Sequence, residues 1–131
     1  IRHKLRNQNI ELARNLDPSL PEIQADATQL EQASLNLILN AVESMPRGGT
    51  LTITTRATGN NVAIEFKDTG EGMTPEQQAR AFTSLLNTTK NKGTGLGLAI
   101  VKRVVEVHQG DIKLKSQPGK GTAITILLPI T

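Results

Sequence analysis

Hydrophobic positions recur along this chain with two different periods. Between 26 and 45, at about 100° per residue, Leu30, Leu35, Leu37, Ile38, Leu39, Ala41, Val42 and Met45 spread over most of a helical circumference. They leave a narrow polar stripe of Gln29, Gln32, Asn36, Asn40 and Glu43. Asp26 with Gln29 three residues later makes a capping-box start, and Pro46, Gly48 and Gly49 end the run. The pattern predicts one long, largely buried helix. An unpaired buried amide costs roughly 1–3 kcal/mol, so the stripe either meets solvent or lines a pocket. A second long helix is predicted over 96–109, ending at Gly110, and a short one from Pro75 to Phe82 with Thr74 as its cap.

Elsewhere the period is two. Residues 10–16, 51–57, 62–68, 112–116 and 122–128 read as strands, with hairpin turns at Gly59-Asn60-Asn61 and Gln117-Pro118-Gly119. Residues 20–25 read as a further short extended piece interrupted by Pro21, and 84–92, polar and aperiodic, as a loop. Strands at both ends of the chain with helices between them predict a two-layer α/β sandwich, a mixed, largely antiparallel sheet covered on one face by helices. The 131 residues suit a single domain with one core.

Composition narrows the function classes. Fifteen Lys and Arg against twelve Asp and Glu give a net charge of +3, a weak pointer to anionic partners. Phe66 and Phe82 are the only aromatics, so there is no stacking platform for nucleic acid. No apolar run approaches the roughly 18–20 residues of a membrane span. The absence of cysteine excludes disulfides, thiolate metal sites and a Cys nucleophile. The chain opens on the basic Ile1-Arg2-His3-Lys4-Leu5-Arg6 without a secretory signal, and the expectation is a cytoplasmic domain.

Three stretches carry candidate chemistry. Alternation puts Asp68 on the apolar face of Val62, Ile64 and Phe66 and not with Glu65 and Lys67, so its carboxylate needs a hydrogen-bond partner. That partner is either a ligand amino group or the amides of a turn that Asp68 starts. The glycines in Asp68-Thr69-Gly70-Glu71-Gly72-Met73 allow close backbone approach to a flat ligand. Gly93-Thr94-Gly95-Leu96-Gly97-Leu98 stands at a helix mouth, with Lys90 and Lys92 just upstream. Exposed amides and the helix dipole there favour an anion, though a flexible loop has the same composition. It lacks the Walker ending, and no strand precedes it as a dinucleotide fold requires. An Asn amide oxygen on the long helix can supply one ligand to a hard divalent cation beside a triphosphate; a solvated stripe is the plain alternative.

Asn36-Leu37-Ile38-Leu39-Asn40-Ala41, Asp68-Thr69-Gly70-Glu71-Gly72-Met73 and Gly93-Thr94-Gly95-Leu96-Gly97-Leu98-Ala99-Ile100-Val101 resemble the N, G1 and G2 boxes of sensor histidine kinases, in order and spacing. The resemblance covers residues 10–129. It is closest to kinases of the nitrogen-regulation type, whose N box continues Asn-Ala-x-x-Ala-Met-Pro, here Asn40-Ala41-Val42-Glu43-Ser44-Met45-Pro46. The implied fold is the Bergerat ATP-binding sandwich, and the implied ligands are ATP and Mg²⁺.

By this resemblance Asn40 ligates Mg²⁺ with Asn36 nearby, and these two are the catalytic positions. Asp68 accepts from the adenine amine, and Gly70, Gly72 and Met73 pack against the base. Lys90, Gly93, Thr94, Gly95, Leu96, Gly97 and Leu98 serve the phosphates, and Thr122 or Thr125 contacts the base side through water. Hydrolytic members of the superfamily carry Glu at the place of Asn36, and an amide cannot take a proton from water. Asn36 thus implies phosphotransfer to a side chain. The departures are Glu43 in place of a basic residue, leucines and an extra residue in the F box from Phe82 to Lys90, and Gln109 for a common glycine after His108. His3 lacks the context of a phosphoacceptor, and His108 reads as a structural histidine.

The resemblance therefore implies a catalytic module, monomeric alone, cut from a longer kinase, with residues 1–9 as linker from an upstream dimerisation and histidine-phosphotransfer domain. A response regulator is the further partner implied; nucleic acid and membrane are not. An anti-sigma-type serine kinase, a nucleotide sensor without phosphotransfer and a DNA-remodelling ATPase are the competing expectations.

Overall fold

The computed structural model describes residues 9–81 and 94–130 except 22 and 24, with backbone alone for 94–97. Five strands, β1 (Ile10–Asn15), β2 (Gly49–Thr58), β3 (Asn61–Asp68), β4 (Asp111–Gln117) and β5 (Gly121–Pro129), form one sheet in the order β1-β2-β3-β5-β4. β1 runs parallel to β2, and every other pairing is antiparallel. The sheet is therefore mixed, as the sequence predicts. Three helices, α1 (Ala27–Glu43), α2 (Pro75–Arg80) and α3 (Thr94–Val107), complete the described elements. No strand forms among the described residues of 20–25; Pro21, with no amide hydrogen, cannot donate to a ladder.

One hydrophobic cluster joins the layers. Leu37, Val42 and Met45 of the α1 region and Leu98, Val101 and Val105 of α3 meet Leu51, Phe66, Ile124, Ile126 and Leu128 of the sheet. α1 is less enclosed than its composition suggests: Leu35 is 44% exposed, and Leu39 is only half-buried. Its buried residues, Ala33, Leu37, Asn40, Ala41 and Val42, leave one flank to solvent.

The ends of the two long helices are tied to each other. Asp26 caps α1 by accepting from the Gln29 amide at 3.1 Å, but the other half of a capping box is not made by Gln29. The Asp26 amide instead donates to His108 Nε2 at 2.9 Å, while His108 Nδ1 lies 2.8 Å from the Val104 carbonyl. With Nε2 accepting, Nδ1 must carry the hydrogen, and both ring nitrogens are satisfied. His108 is a structural histidine.

Gln109, the residue after it, has φ +60, the left-handed conformation in which helices commonly place glycine to end. A side chain held there costs roughly 1–2 kcal/mol. Gln109→Gly therefore raises stability by about 1 kcal/mol in urea unfolding.

α2 has the complete box that α1 lacks. Thr74 accepts from the Gln77 amide and gives its own amide to Gln77 Oε1. The helix ends at Arg80, before Phe82, which lies outside the described residues.

Candidate functional site

Strand alternation delivers Asp68 to the helix-covered face as expected, at 4% exposure. In the ladder it stands between Leu51 and Thr122, and Thr122 in turn faces Ser116. Asp68 Oδ1 accepts from the Gly70 amide at 2.8 Å and the Thr122 amide at 3.3 Å. The turn-capping reading of this carboxylate is thus realised, and both bonds use the same oxygen. Burial pushes the Asp68 carboxyl above its ordinary range; the amides of Gly70 and Thr122 and the Ser44 hydroxyl pull the other way. Thr125 pairs with Glu65, in the row belonging to the open face of the sheet, so of the two threonines only Thr122 shares Asp68's side.

The loop after Asp68 is held from two directions. Its Glu71 amide donates to the Ser44 carbonyl at 2.9 Å, and its Met73 amide to Ser116 Oγ at 2.8 Å. Gln78 Nε2 spans the Met73 and Ser116 carbonyls at 3.0 Å each, pinning α2 to the β4–β5 hairpin. A Cβ on Gly70 would strike the Ser44 carbonyl and hydroxyl; one on Gly72, where φ is +73, would strike the Gln117 carbonyl. Close packing of protein against protein explains these two glycines on that side. Met73 is half-buried and packs against the core.

Asn36 and Asn40 lie one turn apart on α1. Asn40 is 7% exposed, and its amide has no hydrogen-bond partner among the described residues. Asn36 Nδ2 is buried with no hydrogen-bond partner among the described residues. An orphaned donor of this kind is uncommon in folded proteins and costs stability unless a ligand or water accepts from it.

The end-to-end bond from Asp26 to His108 fixes where the mouth of α3 lies. α1 and α3 pack on one another, and this contact joins the start of one to the end of the other, so they run antiparallel. Asn40 is fourteen residues beyond Asp26, and Thr94 fourteen residues before His108. At 1.5 Å per residue both are ~21 Å from the tie. The first turn of α3, with Thr94, Gly95, Leu96 and Gly97, is therefore level with Asn40 and Asn36. The side chain of Leu98, at 2% exposure, belongs to the core with Val101 and Val105, one helical stripe turned towards the sheet. Lys90 and Gly93 of the sequence-derived set, with Lys92, the F-box run and His3, lie outside the described residues.

Sequence reasoning passed over Ser44 and Ser116. Both carry a legible signal: Ser44 continues the spacing of four from Asn36 and Asn40, and Ser116 is the inward polar end of the row Ile112, Leu114, Ser116. A concavity of about 340 Å³ is lined by Asp68, Ser116 and Thr122 together with Glu65, Lys67, Lys115 and Lys120. Lys67 and Lys115 are in the open-face row of the sheet. Among the described residues no three His, Asp or Glu side chains gather to hold a metal, and no helix is long and apolar enough to cross a membrane.

The family described as histidine kinase-, DNA gyrase B-, and HSP90-like ATPase matches residues 25–131. Sensor histidine kinase ZraS of Escherichia coli (strain K12) is 42% identical over 124 residues, covering 95% of this chain and 26% of that protein. Sporulation kinase A of Bacillus subtilis (strain 168) is 47% identical over 107 residues, 82% of this chain and 18% of its own. Among solved structures, the catalytic domain of histidine kinase ThkA superposes with a TM-score of 0.83 at 25% identity, over 98% of this chain and 83% of that one. Full-length ShkA in complex with AMPPNP gives 0.84 at 32% identity, over 97% of this chain and 27% of that one. The chain spans about a quarter of the length of the first curated relatives it matches.

Proposed function

The chain belongs to the histidine kinase-, DNA gyrase B- and HSP90-like ATPase family and is an ATP-binding catalytic domain of the sensor-histidine-kinase kind; on that premise we propose that it binds Mg·ATP between Asp68, α1 and the first turn of α3, and passes the γ-phosphoryl to a histidine on an upstream dimerisation domain. The observation that carries the reading is the buried Nδ2 of Asn36, which has no partner among the described residues, level with the first turn of α3. A donor without a partner suits a phosphate oxygen, and the free amides of a helix start favour the same charge.

Asp68, ionised, accepts from the exocyclic amine of adenine, where guanine presents a carbonyl. Thr122 and Ser116, joined at 2.8 Å, fix the hydroxyl beside that edge. Asn40 offers an amide oxygen of the type magnesium takes, and the phosphates themselves complete such a shell. Bound there, Mg²⁺ supplies neutralisation of the phosphate charge. The protein's own share is then positioning, with little covalent chemistry to perform. Asn36 donates but cannot act as a base, so water in the cleft goes unactivated and an incoming side chain is the better acceptor. A response regulator that takes the phosphoryl from histidine completes the proposal.

The test is a mixture of this domain, a separately prepared dimerisation domain bearing the acceptor histidine, and γ-labelled ATP with Mg²⁺. Acid-labile label on the histidine is the expected result. Release of free phosphate with no labelled protein would overturn phosphotransfer.

A further inference from the structure

We infer that Ser116 is a positioning residue for base recognition: its hydroxyl fixes the direction of the Thr122 hydroxyl, so that Thr122 meets the base as an acceptor only. The inference rests on the nucleotide reading above and extends it to a residue outside the three sequence boxes.

Three groups converge on the Ser116 hydroxyl. Its Oγ receives the Met73 amide at 2.8 Å, donates to the Gly121 carbonyl at 3.0 Å and lies 2.8 Å from Thr122 Oγ1. A serine hydroxyl has one hydrogen and two lone pairs. The Met73 amide can only donate, so it occupies one lone pair. The Gly121 carbonyl can only accept, so it takes the hydrogen. The remaining lone pair faces Thr122, and the Thr122 hydrogen must point back to Ser116. All three contacts are made together in this arrangement alone. Thr122 Oγ1 is left with lone pairs, and no hydrogen, for any further partner.

Asp68 is the partner of Thr122 across the β3–β5 ladder, and both are buried, at 4% and 5% exposure. An ionised carboxylate is likewise an acceptor only. The rung therefore presents lone pairs from both strands and no side-chain hydrogen. An amino group suits it, either directly or through a water that donates to Thr122. The carbonyl of guanine at the same edge meets acceptors alone, and a buried site built for a donor rejects an analogue that lacks it. Thr122, turned by Ser116, thus reinforces the choice that Asp68 makes.

Removing the Ser116 hydroxyl breaks this chain without freeing the loop. Gln78 Nε2 still spans the main-chain carbonyls of residues 73 and 116 at 3.0 Å each, and the Gly119 amide still donates to the Glu71 carbonyl at 2.6 Å. What changes is Thr122, whose hydrogen loses its acceptor and is free to turn to a ligand carbonyl.

The experiment titrates wild type, Ser116→Ala, Thr122→Val and the double variant with Mg·ATP and with Mg·GTP by calorimetry. Ser116→Ala loses about two- to tenfold in ATP affinity, the worth of one ordinary hydrogen bond, while GTP binding holds or tightens. In the Thr122→Val background the same substitution leaves the ATP-to-GTP ratio where it was, because no hydroxyl remains to turn. Equal losses for the two nucleotides, as loop anchoring alone would give, overturn the proposal; so does a ratio that still moves when residue 122 lacks its hydroxyl. Amide exchange at Met73, followed without nucleotide, quickens in Ser116→Ala, and an unchanged rate overturns the hydroxyl chain itself. Wild-type protein that binds neither nucleotide while Met73 still responds overturns the nucleotide reading instead, leaving the chain from Met73 to Thr122 standing.

Discussion

Asp68→Asn loses about 10- to 150-fold in ATP affinity and keeps its fold, the range set by the ~1.5–3 kcal/mol of a hydrogen bond to a charged group. Asparagine retains an oxygen in the Oδ1 position, so the Gly70 and Thr122 amides keep their acceptor. The other oxygen becomes an amine, and it faces the adenine amine donor to donor. Guanine, with a carbonyl at that edge, suffers less, so the preference for ATP over GTP narrows. Equal losses for the two nucleotides in titration calorimetry would contradict the assignment of Asp68 to the base.

The same substitution separates binding from stability. Burial raises the Asp68 carboxyl above its unfolded value. Its contribution to stability is then fully present below the unfolded value and is lost as pH rises through the folded one. At neutral pH the buried charge is a cost of folding, and Asp68→Asn unfolds at a temperature equal to or above wild type. Binding has the opposite sense: ATP affinity declines as pH falls through the raised value, because the neutral carboxyl ceases to be an obligate acceptor. Asp68→Asn lacks that decline and retains only the pH dependence of the phosphates, which makes it the baseline for the measurement.

Asn40→Ala loses the magnesium-dependent part of ATP affinity. Removing even an outer partner of a metal site costs about 10- to 100-fold, so loss of an oxygen ligand costs at least that. The Asn40 amide has no internal partner among the described residues, and its removal orphans no other described group. Thermal unfolding should consequently shift little. The measurement is a calorimetric titration with ATP in magnesium and again in chelator. Affinities that match wild type in both would take Asn40 out of the site.

Much of this arrangement was legible in the chain, and the reasons are local. β3 is legible because β-branched and aromatic residues alternate cleanly there, and the same alternation exposes Asp68 as a carboxylate on the wrong side for solvent. α2 is legible from Thr74 and Pro75, although the Gln77 half of its box went unnoticed. The long-range ties were not legible. No periodicity assigns the Asp26 amide to a histidine eighty-two residues away, and that contact is what sets α1 and α3 in phase. Leu98 belongs to a glycine-rich string, but that its side chain points into the core depends on the sheet beneath, which the string does not encode. Ser116 and Ser44 share this limit, since their value lies in what crosses to them from other elements.

The loop between Asp68 and Thr74 is fastened to the helix cap on one side and to a hairpin on the other. A segment so anchored has already surrendered its freedom before any ring arrives. Adenine would enter a finished slot, and little of its interaction energy would be diverted into ordering the chain. Selectivity among bases can then be sharp even where the overall grip is modest, because a rigid slot has no inexpensive way to reshape itself around the wrong edge.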